Sequence, residues 1–283
     1  MSALVRALAS AAPDIDCEYR ISAEQVARFR EDGYIKLKDV FSQETLGTYG
    51  REITRLVLER SKDTRPLEER NTYGKAFLQV INLWRYSDIV REFVFGRRLA
   101  RIVTELLQTD GVRLYHDQAL YKESGGGYTP WHIDQFYWPL ATDRVATAWI
   151  PLHAVPLQQG PLMFSVGSQR IKTGRDLEIS DESEKTMNER LKVSNLPVDE
   201  TPFDIGEVSI HLGRTFHRAG PNTTPRPREV MTIIYMDRDM RLAAPRNKHQ
   251  GDTWNTKVGD VIASPLNPIL YEKPAATPRR LPD

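Results

Sequence analysis

Residues 129–138 read Thr-Pro-Trp-His-Ile-Asp-Gln-Phe-Tyr-Trp. An imidazole and a carboxylate two positions apart, His132 and Asp134, share one face of a strand, with Trp131 and Ile133 on the other, because strand side chains alternate. On a helix, positions two apart do not face each other. The pattern predicts a strand offering two metal ligands to one point. A third ligand must come from elsewhere in the chain.

Six histidines are available, at 116, 132, 153, 211, 217 and 249. His249 lies in a polar stretch, and His153 follows a strand end, where a surface or hydrogen-bonding role fits better. His116 lies on the preceding candidate strand and is placed beside the pocket rather than on the metal. His211 and His217 remain. Residues 218–227, Arg-Ala-Gly-Pro-Asn-Thr-Thr-Pro-Arg-Pro, read as a turn with strong breakers. A reversal near Asn222-Thr223 puts His217 opposite Arg228 on adjacent strands of a hairpin, with His211 farther along, nearer Ile234. His217 is therefore preferred as the ligand. Two histidines and an acid with open positions suit a non-haem Fe(II) oxygenase. A zinc hydrolase uses a similar set and stays open as an alternative. Arg228 bears on the choice: a guanidinium near the metal could hold the far carboxylate of a chelating dicarboxylate by two hydrogen bonds. Its alternative is a surface ion pair with Glu229.

The elements that must carry these residues change character along the chain. Residues 21–33 read as a helix, with Ser22 as N-cap, Gln25 as its capping-box partner and Gly33 as the stop. Residues 34–40 alternate like a half-buried strand, and 42–60 form a second helix. Residues 61–71 read as loop, 76–81 as a short strand and 87–107 as one long helix. After Asp110 short strands dominate, at 112–122, 145–152, 160–166, 206–211 and 228–236, with a Gly-rich turn at 124–127. Such spacing suggests a barrel or sandwich. Residues 171–204 are polar with no clear strand, and read either as a solvated insertion or as a lid over a pocket. The first 20 residues and the tail after Lys273 read as flexible, and the whole chain as a single domain.

Composition narrows the partners. The 283 residues carry 39 basic and 38 acidic side chains, so no basic excess points to a nucleic acid. The cations look spread along the chain, as on a solvated surface. Cys17 is the one cysteine, which rules out an internal disulfide or zinc-thiolate site and fits a reducing, cytoplasmic setting. No apolar run reaches the ~18 residues of a membrane span. A monomer or homodimer acting on a small molecule is expected.

Several stretches together resemble the phytanoyl-CoA dioxygenase family of Fe(II)- and 2-oxoglutarate-dependent oxygenases. They are Trp131-His132-Ile133-Asp134-Gln135, Trp149-Ile150-Pro151-Leu152, Gly160-Pro161-Leu162, Gly167-Ser168, His217-Arg218-Ala219-Gly220-Pro221-Asn222 and Arg228. The entry segment 25–34 and Val258-Gly259-Asp260 fit as well, so the likeness spans roughly residues 20–272. It implies a mainly β fold, a double-stranded β-helix (cupin-type jelly roll) with flanking N-terminal helices. It implies that His132, Asp134 and His217 bind iron and that Arg228 pairs with 2-oxoglutarate. Lys122, Thr129 and Trp149 match positions lining the cosubstrate pocket, and Gln118 and Gln79 would face the same cavity. Gln169 and Ala219 depart from the family's usual His and Ser, away from the metal. The halogenases related to this family replace the acid with a small residue, so Asp134 favours hydroxylation.

The resemblance also implies the chemistry: O₂ and 2-oxoglutarate give succinate and CO₂ while a C–H bond of a small organic molecule, as in natural-product metabolism, is oxidised. Phe136, Tyr137 and Trp138 would wall the substrate pocket. A metal-holding cupin-like protein without turnover, and the zinc hydrolase, are the competing readings.

Overall fold

The structure, a computed structural model, describes residues 13–61, 65–247, 250 and 256–274. The expectations for residues 1–12, for His249 and for residues 275–283 lie outside these.

Helix α1 (Ala23–Asp32) has the capping box predicted for it, Ser22 with Gln25, and ends at left-handed Gly33. Strand β1 (Tyr34–Leu37) and helix α2 (Gln43–Arg60) follow. After the segment read as loop, 61–71, comes a short helix α3 (Thr72–Ala76), N-capped by Asn71, which takes in Ala76 and leaves β2 (Leu78–Ile81) to start two residues later than expected. The long helix predicted over 87–107 is two: α4 (Asp88–Val94) and α5 (Arg97–Leu107). The break at Gly96 has a packing reason. A Cβ there would press on Ile15, 3.0 Å from its Cβ, and on its carbonyl oxygen at 3.1 Å. Ile15 itself is buried, and Asp14 accepts hydrogen bonds from the Thr45 hydroxyl and the Ser42 N–H. Residues 13–16, expected to be flexible, are thus anchored.

The remaining strands are β3 (Gly111–Tyr121), β4 (Thr129–His132), β5 (Val145–Pro151), β6 (Leu162–Ser165), β7 (Val198–Asp199), β8 (Val208–Leu212), β9 (His217–Ala219), β10 (Val230–Asp237) and β11 (Ile269–Glu272). They form two antiparallel sheets. The larger runs β1-β8-β5-β10-β3-β11 with β2 also on β3, and the smaller runs β4-β9-β6-β7. This is the double-stranded β-helix that the resemblance implied. The apolar faces of α2, α4 and α5 cover one face of the larger sheet: Val103 and Leu106 of α5 share a cluster with Ala119, Ala148, Ile210 and Ile233. The opposite face of that sheet looks toward the smaller one.

Period-two alternation assigns side chains to the two faces. On β3, Ala119 and Tyr121 pack in the helix-covered cluster while His116, Gln118 and Leu120 line the space between the sheets. A register shift between Ile234 and Tyr235 lets Tyr115 join His116 there.

Residues 171–204 are not a plain loop. They contain helix α6 (Asp181–Ser194), N-capped by Ser180, and β7. Only Ser183, Met187 and Leu191 of α6 are buried, a stripe four residues apart amid charged neighbours. That stripe is too narrow to announce a helix by periodicity. Among the described residues, no helix is long and apolar enough to cross a membrane.

Candidate active site

Strands β4 and β9 run antiparallel with His132 directly opposite His217. Opposite residues bring their Cβ atoms to about 4.5–5.5 Å, and the two imidazole centroids lie 4.1 Å apart. Asp134 is not on the strand, contrary to the sequence expectation. β4 stops at His132, Ile133 stays extended (φ −120°, ψ 136°), and Asp134 opens a 3₁₀ turn through Tyr137. The turn forms because the Gln135 N–H donates to Gly213 rather than to a strand partner. One extended residue suffices to keep the alternation: Trp131 and Ile133 are buried in an apolar cluster with Met187 and Phe216, while His132 and Asp134 line the cavity.

Ligand atoms of His132, Asp134 and His217 all lie within 4.8 Å of one another. Asp134 Oδ1 is 3.7 Å from His132 Nε2 and 3.5 Å from His217 Nε2. Atoms bound at ~2.1 Å to a common metal and at right angles would sit roughly 3 Å apart, so little movement is needed. The other ring nitrogens are committed: His132 Nδ1 is 2.8 Å from the Pro130 carbonyl and His217 Nδ1 3.0 Å from that of Thr215. Each Nδ1 then carries the proton and each Nε2 presents a lone pair, as metal-ligating histidines require. Burial, with help from His217, pushes His132 down to about 3, so it stays neutral. Burial would raise Asp134, but His217 and His211 outweigh it and hold the carboxyl well below its usual range. A neutral His132 and an ionised Asp134 are states that bind a divalent metal.

The second carboxylate oxygen, Asp134 Oδ2, accepts from the Thr147 hydroxyl at 2.7 Å and lies 3.1 Å from His211 Nε2. Thr147 and His211 are themselves direct cross-strand partners on β5 and β8. His211, set aside as a ligand, thus orients the acid and leaves Oδ1 for the metal. Its signal was present in the sequence: Val208, Ile210 and Leu212 pack toward the helices, which sends His211 inward.

Arg228 reaches the cavity by a route other than the predicted hairpin. β9 belongs to the smaller sheet and β10 to the larger, so His217 and Arg228 face each other across the interior. The connecting segment crosses between sheets because Asn222 pins it, its amide donating to the carbonyls of Lys122, Glu123 and Arg226. Arg228 is 2 % exposed, donates to the Gly160 carbonyl, lies beside Trp149 and has no partner for Nε. Burial pushes it down to about 9, still charged at neutral pH. Lys122, whose backbone bridges Arg228, is fully buried and donates to the Gly127 carbonyl and the Thr129 hydroxyl. Burial first, then Arg228 and Arg218, lowers it well below the usual lysine range. Lys122 does not line the cavity, contrary to the position implied for it, whereas Arg228, a buried guanidinium set against a carbonyl, suits an incoming carboxylate. The donor set therefore fits both iron and a chelating dicarboxylate.

Gly160 holds this arrangement at φ +66°, and a Cβ there would run into the Gly220 carbonyl. Gly160→Ala is expected to lower stability by ~1–3 kcal/mol in urea unfolding, while also weakening cosubstrate binding through Arg228. An unchanged midpoint would contradict the packing described.

The cavity, about 330 Å³, is lined by the triad, Arg228, Thr129, Trp149, Gln79, Gln118 and a mainly apolar remainder including Phe77, Leu120, Tyr137, Trp138 and Ile179. Phe136 turns away and joins the Trp131 cluster, so of the three aromatics predicted to wall the pocket only Tyr137 and Trp138 do. Tyr73, missed in the sequence, completes a chain in which its hydroxyl donates to Gln79 at 2.7 Å and the Gln79 amide to Gln118 Oε1 at 2.5 Å. Gln169 instead donates to the carbonyls of Arg30 and Glu31, tying the α1 end to the β6 loop.

Residues 29–230 match the family model described as phytanoyl-CoA dioxygenase. A curated relative, the probable alpha-ketoglutarate-dependent hypophosphite dioxygenase of Stutzerimonas stutzeri, is 24% identical over 229 residues, 77% of this chain and 79% of that protein. Among solved structures, the non-heme alpha-ketoglutarate-dependent carbocyclase SnoK from nogalamycin biosynthesis superposes with a TM-score of 0.73 at 25% identity, covering 88% of this chain and 96% of that one. The epimerase SnoN, in complex with Fe3+, alpha ketoglutarate and nogalamycin RO, gives 0.72 at 25%, covering 87% and 97%.

Proposed function

Since the chain belongs to the phytanoyl-CoA dioxygenase family and is an oxygenase that uses iron, 2-oxoglutarate and O₂, we propose that it oxidises an unactivated C–H bond of a small, largely apolar organic metabolite by hydroxylation. The observation that carries this reading is the presence in one cavity of a His–Asp–His ligand set and a buried arginine that no acid among the described residues pairs with. In this reading His132, Asp134 and His217 hold the iron, and Arg228, backed by Thr129, Lys122 and Trp149, holds the far carboxylate of 2-oxoglutarate. The chemistry supplied at that position is oxidative decarboxylation of 2-oxoglutarate by O₂ to succinate and CO₂, coupled to oxidation of the substrate. Thr147 and His211 keep Asp134 aimed with one oxygen toward the iron site.

Residues 79, 118, 137, 138 and 179 face the substrate, with the whole chain acting as one oxygenase domain. The segment around α6 serves as its cover. Ile179 lines the cavity and donates its N–H to the Tyr137 hydroxyl. Glu184 accepts the Trp131 N–H at 2.8 Å and pairs with Arg218 at 2.7 Å, linking α6 to both metal-bearing strands. That cover would exclude water from the reacting atoms. The relative named for hypophosphite suggests another substrate class, a small inorganic anion. The apolar walls and the size of this cavity favour an organic molecule. The epimerase and carbocyclase among the neighbours make stereochemical inversion or ring closure the alternative fates of the oxidised carbon. A metabolite screen that follows succinate release tests the reading. Substrate-dependent succinate together with a product 16 mass units heavier supports hydroxylation, and equal release in the presence and absence of every candidate opposes it.

With Gln118 Oε1 occupied by Gln79, the Gln118 amide N–H groups are left to donate to a substrate acceptor. Gln118→Leu is expected to raise the substrate KM about twofold to tenfold, the worth of one ~0.5–1.5 kcal/mol hydrogen bond, while leaving the KM for 2-oxoglutarate unchanged. Comparing the two KM values checks it.

A further inference from the structure

Behind the turn that carries Asp134 lies a second cavity, of about 620 Å³. Its apolar wall includes Phe136, Trp138 and Leu140, and five cations border it: Lys172, Arg175, Arg190, Arg214 and Arg246. Asp176 is the one acid among its lining residues. These cations look scattered along the sequence, and the fold gathers them. Arg175 and Arg214 are half-buried, whereas Lys172, Arg190 and Arg246 are exposed at the rim. None of the five forms an ion pair among the described residues.

The two inner guanidiniums are fixed by hydrogen bonds to neutral oxygens. Arg175 donates through Nε to the Ile171 carbonyl at 2.7 Å and through Nη2 to the Gln169 carbonyl at 2.6 Å. Arg214 donates through Nε to Gln135 Oε1 at 3.1 Å, and the Gln135 amide is anchored on the Thr142 carbonyl at 2.8 Å. These bonds occupy the Nε and Nη2 of Arg175 and the Nε of Arg214. Burial first, and then the nearness of Arg214, lowers Arg175 below the usual arginine range, although Asp143 acts in the opposite direction. A cavity bordered by five cations and one acid, with this pair hydrogen-bonded to neutral oxygens beside aromatic rings, is complementary to an anion with an apolar body.

We propose that this cavity binds an organic phosphate monoester, with the phosphate on Arg175 and Arg214 and its apolar or aromatic body against Phe136 and Trp138. The site is separate from the cosubstrate anchor, because Arg228 belongs to the other cavity. Its ligand would neutralise the arginine pair and brace Gln135, the neighbour of Asp134.

The test uses the full chain without added metal and probes 2-naphthyl phosphate, inorganic phosphate and 2-naphthol by calorimetry at constant ionic strength. The naphthyl phosphate is expected to bind at least tenfold more tightly than either of the others. Arg175→Gln/Arg214→Gln should weaken it at least tenfold. The rim variant Lys172→Gln/Arg190→Gln/Arg246→Gln, which touches exposed residues only, should weaken it at least threefold, and this keeps the test decisive if the first variant misfolds. Arg228→Gln should leave it unchanged. The proposal is overturned by equal affinity for the ester and inorganic phosphate, by indifference to both sets of variants, or by loss in Arg228→Gln. Neither iron nor turnover enters this measurement, so its failure would leave the oxygenase reading intact.

Discussion

Asp134→Ala is expected to abolish iron retention and to lower turnover by more than the roughly 10–100-fold that outer partners of metal ligands cost. The argument rests on how its two oxygens are divided. Oδ1 faces both imidazole Nε2 atoms, and Oδ2 is taken by Thr147 and His211. Removing the carboxylate deletes a ligand and leaves a buried hydroxyl and a buried ring N–H unpaired. Thr147→Val gives the graded comparison. It keeps the ligand and loosens its aim, so its loss should fall within that 10–100-fold range. Iron content after desalting, alongside substrate-dependent succinate formation, reads both variants. Equal iron retention in Asp134→Ala and the parent protein would remove Asp134 from the ligand set.

Arg228→Gln is expected to raise the KM for 2-oxoglutarate by about 30-fold or more, since deleting one partner of a desolvated charge pair costs ~2–5 kcal/mol. Iron binding without cosubstrate should be unaffected, because Arg228 hydrogen-bonds Gly160 and touches no ligand. The variant should also be no less stable than the parent before cosubstrate is added. A buried cation unpaired by any acid is a cost in the free protein, and glutamine removes it. Arg228→Lys retains the charge but loses the two-point geometry, and should recover affinity only in part. A KM within twofold of the parent value in Arg228→Gln would place the far carboxylate elsewhere.

What the sequence made legible was local. The capping box at Ser22, the strand textures after Asp110 and the His132/Asp134 alternation all follow from neighbours in the chain, and each has its counterpart in the structure. Long-range placement was less readable. The breakers at 218–227 suggested a tight hairpin, yet they carry the chain from one sheet to the other, a choice settled by Asn222 bonding to the β3 end. His211 was set aside as a ligand because the expected hairpin placed it farther along than His217, and its role beside Asp134 follows only from the fold, which sets β8 next to β5 and His211 next to Thr147. Helix α6 hid behind a stripe of two large apolar residues, Met187 and Leu191. The gathering of Arg175, Arg214 and Arg246 has no local signature at all, since they come from three separate loops. Gln79 and Gln118 were placed by family likeness, and the structure adds the cause of their orientation, the Tyr73 hydroxyl.

The central claim, that one cavity holds iron on His132, Asp134 and His217 and 2-oxoglutarate on Arg228, is tested most directly by anaerobic titration. Fe(II) and 2-oxoglutarate added together to the protein should produce a weak visible charge-transfer band with one-to-one stoichiometry. The band should be lost in His217→Ala and should require far more 2-oxoglutarate in Arg228→Gln. A well-folded protein that gives no band, or one that binds zinc tightly and ignores 2-oxoglutarate, would contradict it.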